Sequence, residues 1–356
     1  MQKILFVCPF MPEKNASQAG HRLAFEYIKS MAAHSVIDVV LLVKGKKKDP
    51  KDLLGLTNLN VVLHEEVSFL TYIINSISKP KLFSFLTRYS KKVQVLLTQI
   101  IKETEYDVVN LEFTQSFYHL KYLKKETKAA FHLSAHDILT QSHLRKPGLM
   151  SYFSNWTFRA ESDLFSQADK IFVLSEKDRN LLHALFGSHL DIGLRPLPLP
   201  DYIYNVNRSA KTIEPQSLMF WGAMNRLENE KSIIQFIEQI FLPDLLLKYP
   251  TIKLYIVGSN PTMRLRKYES KSIIITGFVE DPTIYFEKAS IGVIPLLYGA
   301  GVKLKTLEML KTGMPVISTP IGVEGINLDG IKNISVKDMD GFKLEIARIL
   351  NEQLLN

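Results

Sequence analysis

The sequence predicts an α/β protein made of two Rossmann-like halves, and three observations predict it. Short apolar runs rich in β-branched residues recur along the 356 residues, as strands buried on both faces of a parallel sheet require. Between them lie segments whose apolar residues return every three or four positions, the period of an amphipathic helix. Near residue 200, Pro196, Pro198 and Pro200 open a polar stretch that interrupts the alternation. The expected boundaries are a first domain over 1–195, a linker without regular structure over 196–215 and a second domain over 216–336. A closing helix over 337–356 is expected to reach back across the interdomain region.

With 46% hydrophobic and 22% charged residues the chain can fill two cores, and global disorder is excluded. The single cysteine, Cys8, rules out an internal disulfide and is expected as a buried, inert thiol. No apolar run approaches the ~20 residues that span a bilayer, and Met1-Gln2-Lys3 leads into a strand rather than a signal peptide. A cytoplasmic protein is expected, with a peripheral position at the inner face of the cell membrane as an extension. The net charge of +8 is uneven: residues 1–200 hold 26 Lys+Arg against 19 Asp+Glu (+7), and the remainder 18 against 17 (+1). A basic first half suits an anionic partner such as an acidic membrane surface. Nucleic acid is set aside, because no recognition helix, zinc spacing or aromatic–basic RNA motif is present.

In the first half, residues 4–8 form the opening strand and a polar loop runs to Gly20. A helix follows, with Leu23, Tyr27, Ile28 and Met31 on one face. The loop lacks Gly-x-Gly-x-x-Gly, which disfavours dinucleotide binding. Residues 36–43 are the second strand, and the basic turn at 44–50 reads as a solvated loop. Residues 69–102 carry two helices broken at Lys79-Pro80. Across the break, Leu82, Phe83, Phe85, Leu86 and Tyr89 alternate with Lys81, Arg88, Lys91 and Lys92. That pattern fits a core-facing helix with a wet side, the membrane interface being the alternative. Strands follow at 106–113 and 129–137, the second ending in His136-Asp137, where open α/β sheets bind ligands. His132, His143, His183 and His189 have no metal-site spacing. Residues 170–175 form another strand, and Ser175 with Asp178 caps the helix after it.

The second half restarts with a strand at 217–222 and a long helix to about residue 249. Strands ending in glycine follow at 253–258 and 273–279. Residues 291–296 are a buried strand, and Gly299 and Gly301 then leave a loop able to bring its backbone close to a ligand. From Lys303 onward Leu304, Leu307 and Leu310 share a helical face, Gly313 ends the helix, and residues 315–319 resume a strand. This layout aims the amides of a helix start into a crevice beside the ammonium groups of Lys303 and Lys305, with the carboxylate of Glu308 behind them. Such a site suits a sugar nucleotide, the lysines and amides meeting the diphosphate and the acid accepting from ribose hydroxyls. Asp338-Met339-Asp340 reads as a helix start capped by Asp340, not as a metal signature.

The segment Gly299-Ala300-Gly301-Val302-Lys303-Leu304-Lys305-x-x-Glu308, with Gly313-Met-Pro-Val-Ile-x-Thr and Gly322-Val-Glu-Gly325 after it, resembles the donor site of GT-B glycosyltransferases of family 4. The common motif there has two glutamates. Glu308 matches the second and Ala300 stands at the place of the first, as in the branch with Gly-x-Gly-x-Lys-x-Lys. The resemblance implies the GT-B fold, two domains facing across a deep cleft. It also implies a retaining, metal-independent hexosyl transfer from a nucleotide diphosphate-sugar, UDP or GDP being the expected nucleotides and no further cofactor being needed. The acceptor would be a hydroxyl of a glycan or lipid-linked saccharide in cell-envelope polysaccharide synthesis.

By the same resemblance His136, Lys303 and Lys305 serve catalysis. Gly20, Gly222, Arg226, Gly277, Phe278, Val279, Gly301, Val302, Leu304, Thr306 and Glu308 serve the donor, with Lys231 a second candidate beside Arg226. His21, Arg22 and Asp137 face the acceptor, and a downstream helix brings Glu161 to the same side. The alternatives are a sugar-nucleotide epimerase on the same fold, for which no acid/base carboxylate cluster is found, and a non-enzymatic anion- or nucleic-acid-binding protein.

Overall fold

The computed structural model describes residues 1–14, 16, 18–43, 49–145 and 149–355, and the chain divides into two compact units, Met1–Pro198 and Leu199–Asn356. The predicted basic turn lies, for residues 44–48, outside the described residues.

In the first unit β1 (Gln2–Cys8), β2 (Ser35–Val43), β3 (Leu59–Glu66), β4 (Val108–Glu112), β5 (Ala130–Ser134), β6 (Lys170–Val173) and β7 (Ile192–Leu194) form one parallel sheet in the order β3-β2-β1-β4-β5-β6-β7. Side chains of a strand alternate between faces, and β1 shows the consequence. Ile4, Phe6 and Cys8 enter a core shared with Phe25 and Ile28 of the helix Ala19–Ala32. Leu5 and Val7 enter the opposite core with Val40, Val109, Phe117 and Phe165. Cys8 is buried as expected, and burial pushes its thiol pKa up. Winding reverses between β1 and β4, so the crevice beyond their carboxyl ends is the topological switch point.

Three expectations need correction here. The strand expected over 170–175 is β6 and ends at Val173, and an edge strand not expected from sequence, β7, follows it; at three residues that strand has no periodicity to read. The aromatic–basic helix over 82–92 does not form. Pro80 opens a tight 3₁₀ segment, Pro80–Phe85, that buries Phe85, and regular helix resumes only at Lys91–Glu103, capped by the Ser90 hydroxyl. The expected linker contains the helix Asp201–Asn205, because Pro200 in extended conformation can start a helix it could not continue. Ile203 of that helix is 2% exposed and belongs to the second unit's core.

The second unit repeats the plan with six parallel strands: β8 (Glu214–Trp221), β9 (Lys253–Val257), β10 (Ile273–Gly277), β11 (Ala289–Ile294), β12 (Val316–Ser318) and β13 (Ile334–Val336), in the order β10-β9-β8-β11-β12-β13. Every residue of β11 is buried, which explains its unbroken apolar run. Here the switch point lies between β8 and β11. The predicted long helix begins at Leu227 and widens into π-type turns over Ile237–Leu245, where Pro243 has no N–H to give.

The closing helix Met339–Leu355 turns its apolar face onto its own unit. Phe342, Ile346 and Leu350 are buried in that unit's core, Phe342 meeting Phe236 edge-on with ring centroids 6.1 Å apart. Its start is capped by Asp338, whose Oδ1 accepts from Gly341 N at 2.9 Å; Asp340 lies inside the first turn.

Candidate functional site

At the switch point of the first unit stands a carboxylate that sequence reasoning passed over. Glu112 ends β4 with no solvent exposure, and a buried charge needs partners on every side. Its Oε1 accepts from Arg195 Nη1 at 2.6 Å, Asn110 Nδ2 at 2.6 Å and Ser134 Oγ at 2.8 Å. Its Oε2 lies 3.1 Å from His136 Nε2. Arg195 Nη2 also donates to Asn110 Oδ1 at 2.6 Å, and its guanidinium lies over the rings of Tyr27 and Phe172. Burial alone would raise the Glu112 pKa; Arg195, then His136 and Ser134, outweigh it and hold the group down at about 2.

This network fixes His136 at the end of the β5 loop. With Nε2 given to the carboxylate, the buried Nδ1 has no hydrogen-bond partner among the described residues. Phe113 stacks on the imidazole at 3.8 Å between centroids. Phe113 itself is held at φ 58°, ψ 150°, a conformation costly for a residue with a Cβ and common at functional sites. Its ring explains Gly20, which lies in the first turn of Ala19–Ala32: a Cβ there would meet Phe113 Cε1 at 2.8 Å. His21 stacks on Phe10, and Phe10 meets Phe113 edge-on, so the three aromatic rings and His136 form one continuous group. Arg22 Nη1 donates to Ala16 O at 3.2 Å, Asp137 is exposed, and both remain at the rim of this region. Glu161 has a structural post. Fully buried, it accepts from Leu139 N, Thr140 N and Thr140 Oγ1, capping the helix Leu139–Leu144 that leaves the His136 loop. Burial pushes its pKa up to about 7 against those three donors.

At the second switch point the glycine loop and the helix Leu304–Lys311 stand beside the end of β8. Gly299 and Gly301 both have positive φ, as the loop's turn demands. The two lysines, expected to act together, are separated. Lys303 Nζ donates to Ala300 O at 2.9 Å and Gly301 O at 2.6 Å, bracing the loop it starts from. Lys305 turns the other way: its Nζ donates to Asn229 Oδ1 at 2.5 Å and lies 4.6 Å from the centroid of Phe220. Burial first, then Arg226, lower its pKa to about 7. A Cβ on Gly222 would stand 3.0 Å from this ammonium, so the glycine keeps room for it. Glu308, 1% exposed, accepts from the indole Nε1 of Trp221 at 2.5 Å. The indole fixes the orientation of this buried carboxylate.

Thr306 is fully buried and donates to Gly322 O at 2.7 Å, tying the helix to the following strand turn, while Leu304 is buried and Val302 half-buried. Arg226 Nε is paired with Glu228 at 2.6 Å on the exposed start of the helix Leu227–Phe236, and Lys231 on that helix is exposed. Gly277 has φ +73°, Phe278 after it is 64% exposed and Val279 packs on the core.

Glu112, Asn110, Arg195, Ser134, Asn229 and Trp221 are the site residues missed from sequence. The one local signal was Asn110-x-Glu112, two polar residues inside an apolar strand. Chemically, the first unit offers an oriented imidazole, and the second a helix start, one desolvated ammonium and one oriented carboxylate.

Residues 215–352 match the family model described as "Glycosyl transferases group 1". A curated relative, an "Uncharacterized 44.6 kDa protein in cps region" of Klebsiella pneumoniae, is 27% identical over 177 residues, 46% of this chain and 42% of that protein. The chain thus matches less than half the length of this relative. Among solved structures, a sucrose-phosphate synthase from Thermosynechococcus elongatus is similar with a TM-score of 0.69 at 16% identity, covering 99% of this chain and 91% of that one. Anabaena Alr3699/HepE in complex with UDP and glucose gives 0.63 at 13% identity, with the same coverages. At these identities the likeness establishes the fold alone, and it is the GT-B fold expected from the sequence.

Proposed function

We propose that this chain, whose second unit is a glycosyl transferases group 1 domain, moves a sugar from a nucleotide diphosphate-sugar to a hydroxyl of a glycan or lipid-linked saccharide. The observation that carries the reading is the second switch point, where the start of Leu304–Lys311, the Lys305 ammonium and the Glu308 carboxylate lie within ten residues of one another. The departing nucleoside diphosphate gathers negative charge on its outer phosphate. Helix-start amides and Lys305 meet that charge in a desolvated setting, where each is worth more than in water. Lys303 keeps the loop in shape, and the exposed Arg226 can leave the half-buried Glu228 for a phosphate.

Glu308 would take the ribose hydroxyls, its angle set by Trp221. The resemblance to family 4 implies retention, and the absence of a carboxylate on this loop placed as a nucleophile argues against a covalent glycosyl-enzyme. No step calls for a metal. In the first unit His136, oriented by its contact with Glu112, offers its second ring nitrogen to a hydroxyl of the acceptor. UDP is the first nucleotide to test, since Alr3699/HepE is described with UDP and glucose. A role in cell-envelope polysaccharide synthesis draws its support from the Klebsiella relative in a cps region.

The test is a thermal-shift series of UDP-, GDP- and ADP-sugars on the purified chain and on Glu308→Ala. One nucleotide should raise Tm by several degrees at about a hundred times its Kd, and Glu308→Ala should lose about tenfold or more in affinity. No shift with any of them, or an unchanged affinity in the variant, refutes the donor site.

A further inference from the structure

The helix Phe69–Ser78 is built inside out. At about 100° per residue, Phe69, Leu70, Ile73, Ile74 and Ile77 fall on one contiguous arc, and they are 55, 66, 37, 57 and 76% exposed. The opposite arc, Thr71, Tyr72, Asn75 and Ser76, is half-buried against the protein, where Asn75 Nδ2 donates to Tyr89 O at 3.0 Å. A surface helix normally turns its apolar arc to the core and its polar arc to water. Here five large apolar side chains point away from the protein, and no residue of the helix is buried. A contiguous apolar patch of that kind marks a place that meets something other than water.

The charge around the helix says what it meets. Residues 67–102 contain Lys79, Lys81, Arg88, Lys91, Lys92 and Lys102 and no Asp or Glu. Lys81, Lys91 and Lys92 are exposed. The acids nearest in sequence, Glu65 and Glu66, precede the helix, and Glu65 is taken by Lys92 at 2.6 Å. Beside the helix end, Lys79 donates to the Tyr118 hydroxyl at 3.1 Å and Lys121 lies over the Tyr118 and Tyr122 rings, side chains with apolar bodies and polar tips. A second copy of the chain fits less well. Ten residues make a helix about 15 Å long, and its single stripe falls short of the roughly 800 Å² per partner of a stable dimer.

We infer that Phe69–Ser78 lies in the interface of an anionic lipid bilayer, its apolar arc among the acyl chains and the surrounding lysines on the headgroups. At ten residues it rests on the membrane and cannot span it. The inference is independent of the sugar-transfer reading, because it requires neither donor nor activity.

Flotation of the full chain with vesicles tests it. Phosphatidylcholine vesicles containing phosphatidylglycerol should carry the protein up, and phosphatidylcholine alone should carry roughly tenfold less. High salt should weaken the anionic binding by a similar factor. Ile74→Glu with Ile77→Glu should reduce it by about a hundredfold; both sites are exposed, so an unchanged melting curve certifies the fold. Equal binding to both vesicle types, undiminished binding of the folded double variant, or no flotation at all each overturns the inference. So does a concentration-dependent dimer that the double variant abolishes, since that identifies a second copy as the occupant.

Discussion

The ammonium of Lys305 sits among Asn229, the Phe220 ring and Gly222, and its surroundings decide a measurable property of the site. Burial and then Arg226 lower its pKa to about 7, Glu228 and Glu308 pull the other way, and Lys303 adds to the lowering. Near neutrality the empty site therefore holds a mixture of amine and ammonium. A diphosphate favours the ammonium and raises the pKa of the bound state, so binding takes up a proton wherever the free group has lost it. Affinity for the nucleoside diphosphate should be level below about pH 7 and fall towards tenfold per pH unit above it. Calorimetry in buffers of different ionisation enthalpy should show proton uptake that grows from about pH 6 to about pH 8. Lys305→Gln should flatten the profile and weaken binding most at low pH. Lys303→Gln should keep the slope, because its ammonium is engaged by Ala300 O and Gly301 O. A wild-type affinity that is constant across that range would remove Lys305 from the phosphate site.

At the scale of elements, what was legible in the sequence depended on burial. The central strands read clearly because both faces are covered: β1, β2 and β11 are nearly continuous apolar runs. The two edge strands of the first sheet did not, since β3 ends in His64-Glu65-Glu66 and β7 is only Ile-Gly-Leu. The glycine loop, its helix and the position of His136 were visible as local patterns. The network around Glu112 was not, because Arg195 lies 83 residues away in sequence and only the β-order brings them together. Periodicity also misled at residues 69–102: it detects which side chains share a face but not which way the face turns. Gly222 and Gly258 show a related limit. Read as strand ends, they are in fact a backbone contact between the β8 and β9 loops, where a Cβ on Gly258 would lie 1.9 Å from Gly222 O. Gly258 has φ +140° besides. Gly258→Ala should therefore destabilise the second unit by about 3 kcal/mol or more and misplace Gly222 beside Lys305. Denaturant melts of the two proteins measure the first effect, and a loss below ~1 kcal/mol would show that the loops part without cost.

On the scale of the whole molecule, two doubly wound units place different chemistry at the same topological point, and they should answer acid differently. Glu112 belongs to the first unit, and its folded pKa of about 2 lies below the unfolded value near ~4.3. For a carboxyl with a depressed pKa the stabilisation is complete above the unfolded pKa. It is lost as pH falls from there through the folded value, so the window runs from about pH 4.5 to about pH 2. The second unit has a group of the same kind in Glu345, but that carboxyl is held by Ser335 and by Arg348, whose side chain is half exposed, and solvent discounts its share. Protonating Glu112 would leave the Arg195 guanidinium in the interior without its counter-charge, so the first unit should unfold first on acidification. The chain reports on each unit separately, since its two tryptophans are Trp156 in the helix Ser154–Gln167 and Trp221 at the end of β8. Trp156 fluorescence, read in Trp221→Phe, should change at higher pH than Trp221 fluorescence, read in Trp156→Phe. Glu112→Gln should lower the neutral-pH stability of the first unit by about 3–5 kcal/mol, as removal of one partner of a buried ion pair does. It should also shrink that unit's pH dependence within the window. Coincident transitions for the two tryptophans, or an unaltered acid profile in Glu112→Gln, would mean that the carboxylate at the first switch point does not govern the acid stability of its unit.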